Sequence, residues 1–183
     1  MRKRSVLLSV ATATALMAIP AVEPGIEAAG MTTRVMIRAI AKDAMAIGAK
    51  VGGARITVRE VATGDILAQG TQEGTSGDVD LIMIQPRIRG ARTFDAPGTA
   101  GFLAQLMLMK PTEVEITAEG PLGSPQSLQR SSKTLLLIPG QDILGEGVLL
   151  ELHGFTVKLL SPGPETQALA GQTIQVRATV HML

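Results

Sequence analysis

The stretch Glu113 to Glu119 restricts the fold more than any other part of this chain. Val114, Ile116 and Ala118 alternate there with Glu113, Glu115, Thr117 and Glu119. A helix would spread those acids around its circumference, whereas a strand puts the apolar residues on one face and the acids on the other. The same two-residue rhythm recurs. In Arg34 to Lys42, the residues Val35, Ile37, Ala39 and Ala41 share one face, and Arg34, Arg38 and Lys42 take the other, solvent-facing one. Ala54, Ile56 and Val58 alternate with Arg55, Thr57 and Arg59, and Thr63-Gly64-Asp65 then supplies turn chemistry before Ile66-Leu67-Ala68, which predicts a hairpin. Near the end of the sequence, Ile174, Val176, Ala178 and Val180 are set against Thr173, Gln175, Arg177, Thr179 and His181. As a core strand, those four apolar residues would contribute on the order of 1.5 kcal/mol each, less for Ala178, and truncation there is expected to unfold the domain.

Between these segments lie short apolar runs bounded by Gly or Pro: Val79 to Ile84, Leu135 to Ile138, Val148 to Leu152 and Phe155 to Leu160, all predicted as strands. Phe102 to Met109 is rich in helix formers, so one short helix near residues 100–109 is the alternative there. The short connection Lys110-Pro111-Thr112 into the Glu113 strand favours a hairpin instead. The sum is nine to ten short strands without an internal boundary. The predicted fold is all-β: a single immunoglobulin-like or transthyretin-like β-sandwich spanning residues 33–183.

The N-terminus reads differently. Met1-Arg2-Lys3-Arg4 precedes an apolar, small-residue run from Ser5 to Ala21, the layout of a signal peptide over residues 1–21. Ala21 and Ala28 are the two candidate last residues before cleavage, and residues 22–32 form a flexible leader. The run is too short and too diluted by Ser9, Thr12 and Thr14 for a comfortable membrane span, so no integral span is expected after its removal. An exported protein of the periplasm or cell surface follows.

Of 17 basic residues three lie in the signal segment 1–21, against none of the 16 acidic ones, leaving a formal charge of −2. This argues against a nucleic-acid partner, which calls for a basic face. There is no cysteine, hence no disulfide and no thiolate metal site. Tyr and Trp are absent and Phe occurs three times, which argues against a carbohydrate-binding surface.

The run Gly53-Ala54-Arg55-Ile56-Thr57-Val58, continuing through Thr63-Gly64-Asp65-Ile66-Leu67-Ala68-Gln69-Gly70-Thr71 to Gly74 and Gly77, resembles the transthyretin-like, carboxypeptidase-regulatory-like β-sandwich domains. The resemblance implies a scaffold of two strands and a glycine-bounded third. It departs from the family after Gly77, where Asp78-Val79-Asp80 stands in place of a small aromatic residue.

Candidate chemistry is sparse. His153, in Leu152-His153-Gly154, reads as a turn residue, and His181 as an exposed residue of the last strand. No G-x-S-x-G elbow accompanies either. No catalytic residue and no cofactor is therefore assigned. Gly74-Thr75-Ser76-Gly77-Asp78-Val79-Asp80 offers Asp78 and Asp80 as candidate calcium ligands, with Asp43 as a third. Arg87, Arg89 and Arg92 make the loop Pro86 to Pro97 the most basic stretch after the leader, a candidate partner-binding site. Its alternative is a solvated loop paired with Glu113, Glu115 and Glu119. The expected function is an exported, non-catalytic binding or scaffold module that presents its loops to a protein partner. The alternative is a self-assembling subunit of a fibre or surface layer that pairs edge strands, and a hydrolase using carboxylates comes third.

Overall fold

A computed structural model of the protein describes residues 29–182. The segment 1–21 read as a signal peptide, both candidate cleavage positions and most of the expected leader lie outside the described residues. Nine strands are present among those described: β1 Met31–Ala41, β2 Arg55–Glu60, β3 Ile66–Thr71, β4 Phe102–Leu108, β5 Thr112–Gly120, β6 Gln129–Leu137, β7 Ile143–Leu152, β8 Phe155–Ser161 and β9 Arg177–Met182. The fold is all-β and sandwich-like. Its first sheet has the order β4-β1-β7 and its second β3-β2-β5-β6, while β8 and β9 form a separate hairpin. All neighbours are antiparallel except β1 and β7.

The alternation explains the core. Val35, Ile37 and Ala39 of β1, with Ala104, Leu106 and Leu108 of β4 and Leu150 and Leu152 of β7, face Ile56 and Val58 of β2 and Val114, Ile116 and Ala118 of β5. All are buried. Phe102 to Leu108 is a strand, so the helix alternative is not realised. Its helix formers are overridden because Ala104, Leu106 and Leu108, two residues apart, all reach the core. The predicted Arg55-to-Ala68 hairpin also forms, with Gly64 at φ +79° in the connection.

Three expectations need correction. Val79 to Ile84 is no strand: Asp80–Ile84 makes one turn of π-helix. This turn belongs to a long connection, residues 72–101, that crosses the outer face of β1. Ile82, Phe94 and Ala100 from this connection pack on Ile40 and Ala46 as a second apolar cluster. A short apolar run that covers a sheet has the same composition as one inside it. Arg38, read as solvent-facing, is only 5 % exposed because this connection lies over it.

The last strand is shorter than expected and is not in the core. Ile174 and Val176 lie before β9 and are exposed, and within β9 Val180 is 62 % exposed. β9 pairs with β8 alone, so the energetic contribution expected of a core strand does not arise there.

Two features complete the pairing of β1. Gln72, 1 % exposed, takes up the main-chain groups of Ala39 beyond the end of β4. Its Nε2 donates to the carbonyls of Ala39 at 2.9 Å and Ile47 at 3.0 Å, and its Oε1 accepts from the Ala39 N–H at 2.6 Å. β7 makes a pronounced bulge against β1, since Val35 pairs with Ile143 but Ile37 pairs with Val148. Gly145 and Gly147 carry this bulge at φ +71° and +73°. At Gly147 a side chain would run into the main chain of Met36.

Candidate functional site

The β8–β9 hairpin is the part of the chain that the fold leaves unexplained. Phe155 pairs with Met182, Val157 with Val180 and Leu159 with Ala178, so these six side chains share one face. Lys158, Thr179, His181 and Arg177 occupy the other face. All six apolar residues are exposed, Phe155 to 60 %. Side chains of this size, half uncovered, present on the order of 100 Å² each, or roughly 500 Å² together. That equals the largest apolar patch a monomer normally shows, and such patches are usually functional. A two-stranded hairpin by itself is marginal in water, so its apolar face is poorly placed for a monomer.

The hairpin is attached to the sandwich at one edge. Ser127, in the 3-10 turn Pro125–Ser127, receives the Val157 N–H on its Oγ at 3.1 Å and donates to the Val157 carbonyl at 3.3 Å. Both main-chain groups of Val157 therefore point away from β9. Val157 and Val180 must then be a non-hydrogen-bonded pair, and the alternation of an antiparallel ladder turns the N–H and C=O of Ala178, Val180 and Met182 outward as well. No other main-chain group among the described residues bonds to them. β9 is thus an open edge beside an open apolar face.

The residues singled out from the sequence fall elsewhere. Arg87, Arg89 and Arg92 are exposed on the covering connection. They do not pair with Glu113, Glu115 or Glu119: Arg92 reaches Asp95 at 3.3 Å, Arg87 lies 6.0 Å from the centre of the Phe94 ring, and Glu119 pairs with Arg55 of the adjacent strand at 3.3 Å. The pairing fails because β5 is a central strand of the opposite sheet.

Asp78 Oδ1 accepts the Leu81 N–H at 3.1 Å and Asp80 Oδ2 accepts from Gln85 Nε2 at 2.8 Å, both local turn bonds. Asp43 occupies a separate turn at φ +56°. Among the described residues no group of three His, Asp or Glu side chains is gathered for a metal ion. His153 is exposed in the β7–β8 turn, where its N–H bonds Gln129 Oε1 at 2.6 Å, and His181 is exposed on the polar face of β9.

Opposite charges do converge around Arg38, a residue not flagged as a site by the sequence. Its Nη1 donates to the carbonyls of Thr99 and Ala100, both at 2.8 Å, and its Nη2 to that of Gly145 at 3.3 Å and, more distantly, to Asp95 at 3.7 Å. Burial pulls the guanidinium pKa down, and the charges of Asp95 and Glu146 oppose that pull. Glu146 Oε1 in turn accepts the N–H groups of Thr93 and Phe94 at 3.0 and 3.1 Å. Every carbonyl and carboxylate here is engaged in holding the connection onto β1 and the β7 bulge. The arrangement is a clasp. At the far end of β1, Asp142 binds exposed Arg34 at 2.5 Å, and that guanidinium holds the carboxyl below its usual range.

No family model, curated protein or solved structure matches this chain. No helix among the described residues is long and apolar enough to cross a membrane.

Proposed function

We propose that the chain is an exported, non-catalytic subunit that works by self-association through the β8–β9 hairpin. One observation carries this reading: a free strand edge lies next to six exposed apolar side chains that no second sheet covers. A second copy supplies what both lack. Antiparallel pairing of β9 with its two-fold mate, Val180 opposite Val180, sets Ala178 against Met182 and joins two hairpins into a four-stranded sheet. Thr179 then lies opposite His181, so no like charges meet directly across this register. The apolar face of the joined sheet stays open to further copies, which favours assembly beyond a dimer, as in a fibre or surface layer. The transthyretin-like kinship proposed from the Gly53-to-Gly77 run adds a scaffold to this reading and no chemistry of its own.

Sedimentation velocity over a range of concentrations tests the proposal. The protein is expected to grow past the dimer as concentration rises. The single change Val180→Lys, which sets two like charges opposite each other across the two-fold pairing, is expected to keep it monomeric without lowering its melting temperature, because the position is exposed. A wild-type protein that stays monomeric at all concentrations would sink the idea.

A second reading, a module that presents loops to an acidic protein partner, is favoured by Arg87 and Arg89, which are exposed and form no salt bridge among the described residues. If it holds, replacing Arg87, Arg89 and Arg92 by Gln abolishes capture of that partner and leaves the melt in place. If it fails, capture survives the triple change.

A further inference from the structure

A cavity of about 530 Å³ opens between the Ala44-to-Val51 segment, the Gly74-Thr75-Ser76 strip, the π-helical turn and the end of β9. Its size falls in the range of small-molecule sites. Met45, Ala46, Val51, Met83 and Met182 make its apolar wall, and Lys50 is the only charged residue among the described residues that lines it. Three methionines in one wall give a surface that adapts to a flexible chain instead of a rigid ring. Lys50 is exposed and forms no salt bridge with an acidic side chain among the described residues. Ser76 and Thr75 supply hydroxyls on one side, but Thr75 Oγ1 is already engaged, donating to the Gly98 carbonyl at 3.0 Å and accepting the Gly77 N–H at 3.3 Å.

We infer that this cavity binds a single-chain fatty carboxylate, the chain lying against Met45, Met83 and Met182 and the head group meeting Lys50. The charge decides the head group, since a lone cation at the mouth of an apolar cleft attracts an anion and repels a cationic amphiphile. The volume decides the tail, because it takes one acyl chain and has no room for the two of a bilayer lipid. The inference is independent of self-association: it rests on different residues, apart from Met182, whose side chain also belongs to the hairpin face.

Titration calorimetry with dodecanoate below its micelle concentration, and with dodecyltrimethylammonium as the cationic counterpart, tests it. Saturable binding of one dodecanoate per chain is expected, with little or no binding of the cation. Lys50→Glu turns an attraction into a repulsion across a solvated pair and should weaken dodecanoate about tenfold while admitting the cation. Met83→Glu, which sets a carboxylate against the acyl chain, should abolish dodecanoate binding. Both residues are exposed, so an unchanged far-ultraviolet spectrum is expected of each variant. Lys50→Gln, which weakens dodecanoate less than Lys50→Glu does, provides a milder second step. Non-saturating heat, or a dodecanoate affinity unmoved by Lys50→Glu, would overturn the assignment. So would an affinity that falls as protein concentration rises, since a second copy would then be occupying the cavity. Equal capture of wild type and Met83→Glu on anionic lipid vesicles, without dodecanoate binding, would place the anion-binding activity on a membrane surface and likewise reject the site.

Discussion

Gln72→Leu is expected to destabilise the protein by about 3–4 kcal/mol, seen as a melting temperature lower by roughly 10 °C. The side chain volume is nearly kept, so the effect is not that of a cavity. It arises because the Gln72 amide makes three buried hydrogen bonds at once, two to Ala39 and one to Ile47. With Leu in place, the Ala39 N–H loses its partner in a position that is fully buried. The Ala39 carbonyl keeps the Ile47 N–H at 3.0 Å, which limits the loss. Thermal melts of the two proteins measure it. A change below about 1 kcal/mol would mean that the amide is replaced by water and that the end of β1 is open.

Arg38→Met should cost about 3 kcal/mol and should loosen a defined part of the molecule. The substitution leaves the carbonyls of Thr99 and Ala100 without a donor and removes the cation facing Asp95 and Glu146. The consequence is local, because the clasp fastens the 72–101 connection and not the two sheets. Amide exchange is therefore expected to accelerate across residues 79–100 while β2 and β5 keep their protection. Arg38→Lys should not rescue it, since one ammonium nitrogen cannot stand in at once for Nη1, which donates to the Thr99 and Ala100 carbonyls, and Nη2, which donates to that of Gly145. Uniform acceleration in every strand would show instead that the connection and the sandwich unfold as one unit.

These two residues also mark how far the amino-acid pattern carries. Alternation locates β1, β2 and β5 because Val35, Ile37 and Ala39, Ile56 and Val58, and Val114, Ile116 and Ala118 lie two residues apart and are all buried, whereas β4 follows from the short connection into β5. The same period is silent about what lies over the outward face. Arg38 sits where a solvent-facing residue belongs, and only the path of a connection 34 to 63 residues downstream, from Gln72 to Gly101, covers it. Gln72 is a polar residue at the end of a strand, and nothing in its neighbours along the chain indicates that it reaches Ala39. In β9 the alternation is correct from Arg177 onward, yet its apolar face meets no second sheet, because period two describes a face and not its partner.

The candidate site was legible in part. The strand pattern implies unpaired edges without saying which strand carries them: β1, the N-terminal strand, is flanked by β4 and β7 on both sides. The true open edge lies at β9. The arginine loop was found as a basic cluster, while its ion pairing was set by local geometry with Asp95 and not by the acids of β5. The cavity was not legible at all: its lining comes from four separate stretches of chain, and Ala, Gly and Met carry no periodic signal when each lies in a connection.

The central claim is that the β8–β9 hairpin belongs outside the monomer's core and becomes ordered by a second copy. Amide hydrogen exchange at low and high protein concentration tests it most directly. The account predicts that β1, β2 and β5 are protected at both concentrations, whereas Ala178, Val180 and Met182, whose N–H groups point outward, gain protection only at the high one. Protection of those three amides that is independent of concentration, in a protein of monomer mass, would contradict it.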